Sequence, residues 1–280
     1  MHRTRRSAGR RFWGTQNRHA ACSRARKQAT CSFLANVTYI QYLPRCCANV
    51  GVSASDVDMM EVQADRDHSL AELRARYLKA QLAGDLTRAL HLLLREGVDK
   101  GFAVPLLQRC VLREAQRELG QLWQNNLISV AQEHMATAIS NTVRGYLYEA
   151  ARRAPSNGKR VLLGCVEGEL HDFPARLAAD SLDLAGFEVR YLGADVPTQR
   201  LLRRVLEEQP DLVALSATMA FNLAHVHDAV QQLRVRTDGK LPIMVGGAAC
   251  SSACALQADG SATEGPEIIA LAQRLSGLPR

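Results

Sequence analysis

The sequence predicts an α/β protein in which a four-helix-bundle cap precedes a doubly wound parallel sheet, behind a disordered N-terminal arm. Three observations predict it. A 3.6-residue apolar period runs almost without interruption from His68 to Arg153. After the polar linker Pro155-Ser156-Asn157-Gly158, short apolar runs alternate with amphipathic stretches. Ahead of both, Met1 to Val57 is rich in Arg, Ser and Ala and keeps no sustained period.

The arm holds the charge. Of a total of +7, the ten Arg and Lys up to position 58, set against Asp56 and Asp58, supply +8, so the rest of the chain carries −1. Met59 and Met60 stand immediately before the patterned sequence. Residues 1–60 therefore read as a misplaced start or an unfolded basic extension; the composition also suits a transit peptide or a phosphate-binding arm.

The cap is expected over residues 66–154. Leu70, Leu73, Tyr77 and Ala80 share one helix face, and Gly84-Asp85 reads as a stop followed by a new N-cap. A second helix runs from Leu86 to Gly97. A third runs from Val104 to about Trp123, and Gln124-Asn125-Asn126 makes a polar turn. The fourth, from Ser129 to Ala151, opens on a capping box of Ser129 and Gln132.

The sheet domain is expected over residues 159–280. Strands are read at 161–165, 187–192, 212–217 and 243–245, with a short fifth around Ser261; helices are read at 175–185, 198–208, 223–235 and 266–275. This alternation means right-handed crossovers and a parallel sheet covered on both faces. At 47% hydrophobic and 22% charged, the composition is that of a globular protein. No apolar run approaches the ~18 residues of a membrane span. The eight cysteines form no Cys-x-x-Cys pair, which predicts reduced thiols and a cytoplasmic location.

In such a sheet, ligands bind outside the carboxyl ends of the strands. Those ends carry Glu167-Gly168-Glu169-Leu170-His171-Asp172-Phe173-Pro174, then Gly193-Ala194-Asp195, then Ser216-Ala217-Thr218, then Gly246-Gly247. There is no Gly-x-Gly-x-x-Gly after the first strand and no phosphate-cradling Lys, so a nucleotide site loses support. What remains is a loop His with a carboxylate two residues before it, hydroxyls, and paired glycines that would let a planar group approach the backbone. Glu169 would fix the tautomer of His171 and raise its basicity as a metal ligand.

These residues resemble the cobalamin-binding domain family, whose pattern is acid-x-His-x-x-Gly, then Ser-x-(Leu or Thr), then Gly-Gly; the matching residues are Glu169-x-His171, Ser216-x-Thr218 and Gly246-Gly247. The resemblance covers about residues 66–280 and implies a flavodoxin-like, Rossmann-like sheet under the helical cap. It also implies base-off cobalamin with His171 as the lower axial ligand of cobalt and Glu169 as its partner. Ser216, Thr218, Gly246 and Gly247 would line a slot for the nucleotide tail, and Asp172 and Asp195, on the same sheet edge, are further candidate cofactor-binding residues. Pro174 stands where the pattern has a glycine, and the segment from Gly247 to Asp259 is short for the family.

Trp123 is followed after nine residues by Glu133-His134, which is similar to the signature of light-sensing cobalamin regulators. By that resemblance these three side chains cover the upper face and the adenosyl group of adenosylcobalamin. Gln124 stands where some of these regulators have a second cobalt-binding His. The implied function is a photosensory module rather than an enzyme. With no DNA-binding motif in the chain, its output would pass to a protein partner: a transcription regulator, a kinase or a second copy of itself. One alternative is a corrinoid protein that carries methyl groups as methylcobalamin; another is a cap that also holds a bilin, for which Cys110 is the available attachment point.

Overall fold

The computed structural model describes residues 54–250 and 257–278; most of the expected arm lies outside them. Helix α1 spans Ala54–Leu82, so the helix begins about 14 residues before the apolar period does. Strong helix formers without an apolar stripe (Met59, Met60, Glu61, Gln63, Ala64) account for the difference. Residues Gln63–Arg280 form one compact unit.

Within the cap, α2 (Leu86–Leu94) starts on Asp85, whose side chain accepts from the Arg88 amide. The third expected helix is not uniform. It comprises α3 (Val104–Leu107), a π-helical stretch (Gln108–Arg113) and α4 (Glu114–Gln124). Helix α5 (Val130–Ala150) opens on the Ser129–Gln132 capping box, both bonds of which are made. The apolar faces of these helices enclose one core, with Tyr77, Leu92, Leu93, Leu107, Leu119 and Leu147 fully buried.

The sheet is parallel, in the order β2-β1-β3-β4-β5, from β1 (Arg160–Cys165), β2 (Glu188–Tyr191), β3 (Leu212–Ser216), β4 (Ile243–Gly246) and β5 (Gly260–Ser261). Side chains alternate between its faces as a strand requires. Leu162, Val213 and Val245 pack beneath α7 (Thr198–Glu208) and α8 (Leu223–Arg236). Val161, Leu163 and Met244 pack beneath α6 (Phe173–Leu184) and α9 (Gly265–Leu275).

Helix α6 belongs to both parts of the molecule. Ala175 and Leu182 face the sheet, while Phe173 and Leu177 complete the core of the cap. Polar contacts follow the same seam: Gln108 Nε2 donates to Asp180 Oδ2 at 3.1 Å, Arg144 pairs with Asp180, and Arg113 pairs with Glu264. Two of these cap residues, Gln108 and Arg113, bound the π-helical stretch. Among the described residues, no helix is long and apolar enough to cross a membrane.

Candidate functional site

The chain leaves β1 and β3 in opposite directions across the sheet, and the crevice at their carboxyl ends is where side chains from separate loops can converge. Glu169 is at its centre and is fully buried. Its Oε1 accepts from the His171 backbone amide at 2.9 Å and lies 2.7 Å from His171 Nδ1. Its Oε2 accepts from the amides of Thr218 at 2.7 Å and Met219 at 2.9 Å, and from Asn222 Nδ2 at 3.0 Å. Burial pushes this carboxyl up, but the bonds from Met219, His171 and Asn222 outweigh it and hold Glu169 below the ordinary range.

An ionised carboxylate only accepts, so His171 Nδ1 carries the proton and donates. In the neutral ring the lone pair is then on Nε2, on a side chain that is 49% exposed. Fixing the far nitrogen in this way both orients a ligating imidazole and raises its basicity.

The neighbouring loops are stitched to this one. Gly168, at φ +80°, donates its amide to Asp195 Oδ1 at 2.7 Å, and the Asp195 amide donates to the Glu169 carbonyl at 2.9 Å. Asp172 Oδ2 accepts from Arg176 Nε at 2.7 Å and from the Tyr191 hydroxyl at 3.3 Å. Ser216 is buried opposite Cys165 in the β1–β3 pair. Thr218 Oγ1 is buried with no hydrogen-bond partner among the described residues.

Glycine at 247 has a different reason from the one its pairing with Gly246 predicts. At φ +92°, a Cβ there would sit 2.3 Å from the Ala217 carbonyl oxygen. The residue lets two strand ends close on each other. A Cβ at Gly246 would likewise meet the Ala262 carbonyl oxygen at 2.9 Å.

Trp123 and Glu133-His134 stand at the α4–α5 end of the cap. Trp123, at the end of α4, is 38% exposed and lies outside the cap core; Leu127 in the connection and Val130 at the start of α5 are exposed as well. Glu133 is partly buried and accepts from Thr137 Oγ1 at 2.7 Å, whereas the His134 side chain is 75% exposed. Among the described residues, no hydrogen bond joins this group to the loops of the sheet edge.

Asn222 escaped the sequence reading. Standing immediately before α8, it looks like a helix N-cap, yet it makes no capping bond; its amide goes instead to Glu169 and to the Gly168 carbonyl at 3.3 Å.

Residues 159–271 and, separately, residues 73–148 match families described as B12 binding domain. The HTH-type transcriptional repressor CarA of Myxococcus xanthus is 30% identical over 220 residues, 75% of this chain and 71% of the repressor. The chain belongs to the B12-binding family. The repressor CarH of the same organism is 35% identical over 136 residues, and that match spans 48% of this chain but only 44% of CarH. Dimethylamine corrinoid protein 3 of Methanosarcina mazei is 30% identical over 56% of this chain and 94% of its own length. The solved Methanosarcina barkeri monomethylamine corrinoid protein shares the fold, with a TM-score of 0.61 at 18% identity over 73% of this chain and 99% of that one.

Cobalamin is the cofactor of this B12-binding chain, and the donor set fits it. Among the described residues, no group of three or more His, Cys, Asp or Glu could hold a bare metal ion. A metal already held by a macrocycle needs only one protein ligand, and a single tautomer-fixed His at the mouth of the crevice supplies that. Burial pushes the Cys165 thiol up to about 12 and the Cys250 thiol up to about 11, so neither competes as a thiolate at neutral pH. The unpartnered Thr218 hydroxyl leaves a buried hydrogen-bonding group in the same crevice for a polar ligand.

Proposed function

We propose that this protein is a photosensory or regulatory module that holds adenosylcobalamin base-off, with His171 Nε2 below cobalt and Trp123, Glu133 and His134 above. The observation that carries this reading is the placement of Trp123. A tryptophan needed only for the bundle would be in its core, yet Trp123 is 38% exposed at the end of α4, with Glu133 and His134 in the first turns of α5. An indole gives a broad apolar surface, and a carboxylate and an imidazole give hydrogen bonds suited to ribose hydroxyls.

The bound cofactor supplies a light-labile cobalt–carbon bond. The chain does the rest. Glu169 orients His171 and strengthens it as a donor, while Asn222 and the amides of Thr218 and Met219 hold Glu169 ionised. On the upper side Trp123 excludes water. A changed contact at Trp123 alters how the cap sits on the sheet, and the output passes to a protein partner: a transcription regulator, a kinase or a second copy of the chain.

The test is the absorption spectrum of the protein loaded with adenosylcobalamin in the dark and then illuminated with green light. An irreversible change is expected, together with loss of the lower-ligand signature in His171→Ala and of adenosylcobalamin retention in Trp123→Ala. Stable binding with a photoproduct no different from that of free adenosylcobalamin would favour the second reading, a corrinoid protein that carries methyl groups. The 94% coverage of the dimethylamine corrinoid protein supports that alternative, and tighter retention of methylcobalamin than of adenosylcobalamin would establish it.

A further inference from the structure

The core of the cap is not wholly apolar. Tyr77, Gln81 and Ser140 are fully buried among its leucines, and polar groups survive there only when their bonds are made. Here the bonds form a line across three helices. Gln81 Nε2 donates to Ser140 Oγ at 2.7 Å and to the Ala136 carbonyl at 3.2 Å, and the Tyr77 hydroxyl lies 3.2 Å from the same Ser140 Oγ. Ser140 Oγ donates to Gln116 Oε1 at 2.9 Å. Gln116 Nε2 donates to Thr137 Oγ1, and Thr137 Oγ1 donates to Glu133 Oε1 at 2.7 Å.

The protons in this line can be ordered in one way only. Ser140 has a single hydroxyl proton and gives it to Gln116, so Tyr77 must donate to Ser140. Every link then points from α1, through α5 and α4, to the Glu133 carboxylate, which can only accept. Aligned bonds of this kind polarise one another. At the far end Gln81 Oε1 is buried with no partner among the described residues, so that end of the line is held by the Nε2 bonds alone.

We propose that Thr137, Gln116 and Ser140 are positioning residues for Glu133, and that their hydrogen-bond chain ties the carboxylate on the upper face of the ligand site to helix α1. The proposal rests on the adenosylcobalamin reading above. A Glu133 held from above keeps the chain in register and, through Tyr77 and Gln81, keeps α1 packed on α5. A Glu133 without that contact is free to leave Thr137, and α1 loosens. The state of the upper face is thus read out at α1.

The experiment uses the full chain. Dissociation constants for adenosylcobalamin and methylcobalamin are measured in the dark for the unaltered protein, Thr137→Val, Thr137→Ser and Glu133→Gln, with hydrogen exchange followed in a peptide covering residues 73–82. Thr137→Val should lose about tenfold in affinity for adenosylcobalamin, as expected when a bond to a charged group is removed, and keep its affinity for methylcobalamin, whose upper group is too small to reach Glu133. Thr137→Ser should restore the loss. Adenosylcobalamin should protect α1 in the unaltered protein and in Thr137→Ser but not in Thr137→Val. If Thr137→Val loses methylcobalamin as well, Gln116→Met cuts the same chain one link back and decides the matter. Equal affinities for the two cofactors in the unaltered protein would overturn the adenosyl reading and this proposal with it. A preference that Glu133→Gln abolishes and the chain variants leave intact, or α1 exchange indifferent to them, would overturn the proposal alone.

Discussion

Gly247 and Gly101 share a positive φ, +92° and +88°, but they differ in surroundings. A Cβ at Gly101 would meet nothing within 4 Å, whereas one at Gly247 would meet three backbone atoms of Ala217, the nearest at 2.3 Å. Gly101→Ala should therefore cost only the left-handed backbone penalty of about 1 kcal/mol. Gly247→Ala should cost more than about 2 kcal/mol, because backbone has to move as well. Urea unfolding of the two variants checks the contrast, and equal costs would mean that the β3 and β4 ends can part freely. The same closeness keeps the Thr218 and Met219 amides, which follow Ala217, aimed at Glu169. A rigid strand end and an oriented His171 are thus two consequences of one packing arrangement.

Between elements, the seam of cap and sheet depends on a buried charge. Asp180 of α6 is 5% exposed; burial pushes its carboxyl up, while Arg144 of α5 and Gln108 of the π-helical stretch pull the other way. Arg144 itself is incompletely paired, since its Nε is buried without a partner among the described residues. A buried pair of this kind costs most when half of it is removed. Arg144→Met should destabilise by about 3 kcal/mol, and Arg144→Met combined with Asp180→Leu should recover more than half of that loss. Chemical denaturation of the four-member cycle measures the coupling, and purely additive losses would show that the pair does not hold the seam. The 3.6 period foretold the helix that carries Gln108. It did not foretell the widened turns at Gln108–Arg113, because side-chain pattern does not record which carbonyl each amide selects.

For the whole molecule, α6 is the element that neither part can spare. Phe173 and Leu177 close the cap core while Ala175 and Leu182 close one face of the sheet. Cap and sheet should therefore unfold together. Phe173→Ala should cost about 3 kcal/mol and raise the slowest hydrogen exchange of residues 104–124 and of residues 160–165 by the same factor. Exchange that rises in the cap alone would show two independently folding parts. A shared helix also gives the cap a mechanical route to the crevice, since α6 begins only two residues after His171.

What the sequence determined by itself was whatever depends on near neighbours along the chain. Helical and strand periods, the Ser129–Gln132 box, the order of strands and helices, and the Glu169–His171 pair all lie within a few residues of each other, where geometry follows from covalent spacing. The tertiary structure decided everything that needs two distant segments to meet. Asn222 reaches Glu169 across 53 residues, and its position before α8 carries no mark of that contact. Gly247 is glycine because of Ala217, and Glu133 is tied to Tyr77 through residues of α4 and α5. No period relates such positions, because burial and hydrogen-bond satisfaction act through space and leave in the sequence only isolated polar residues in apolar surroundings.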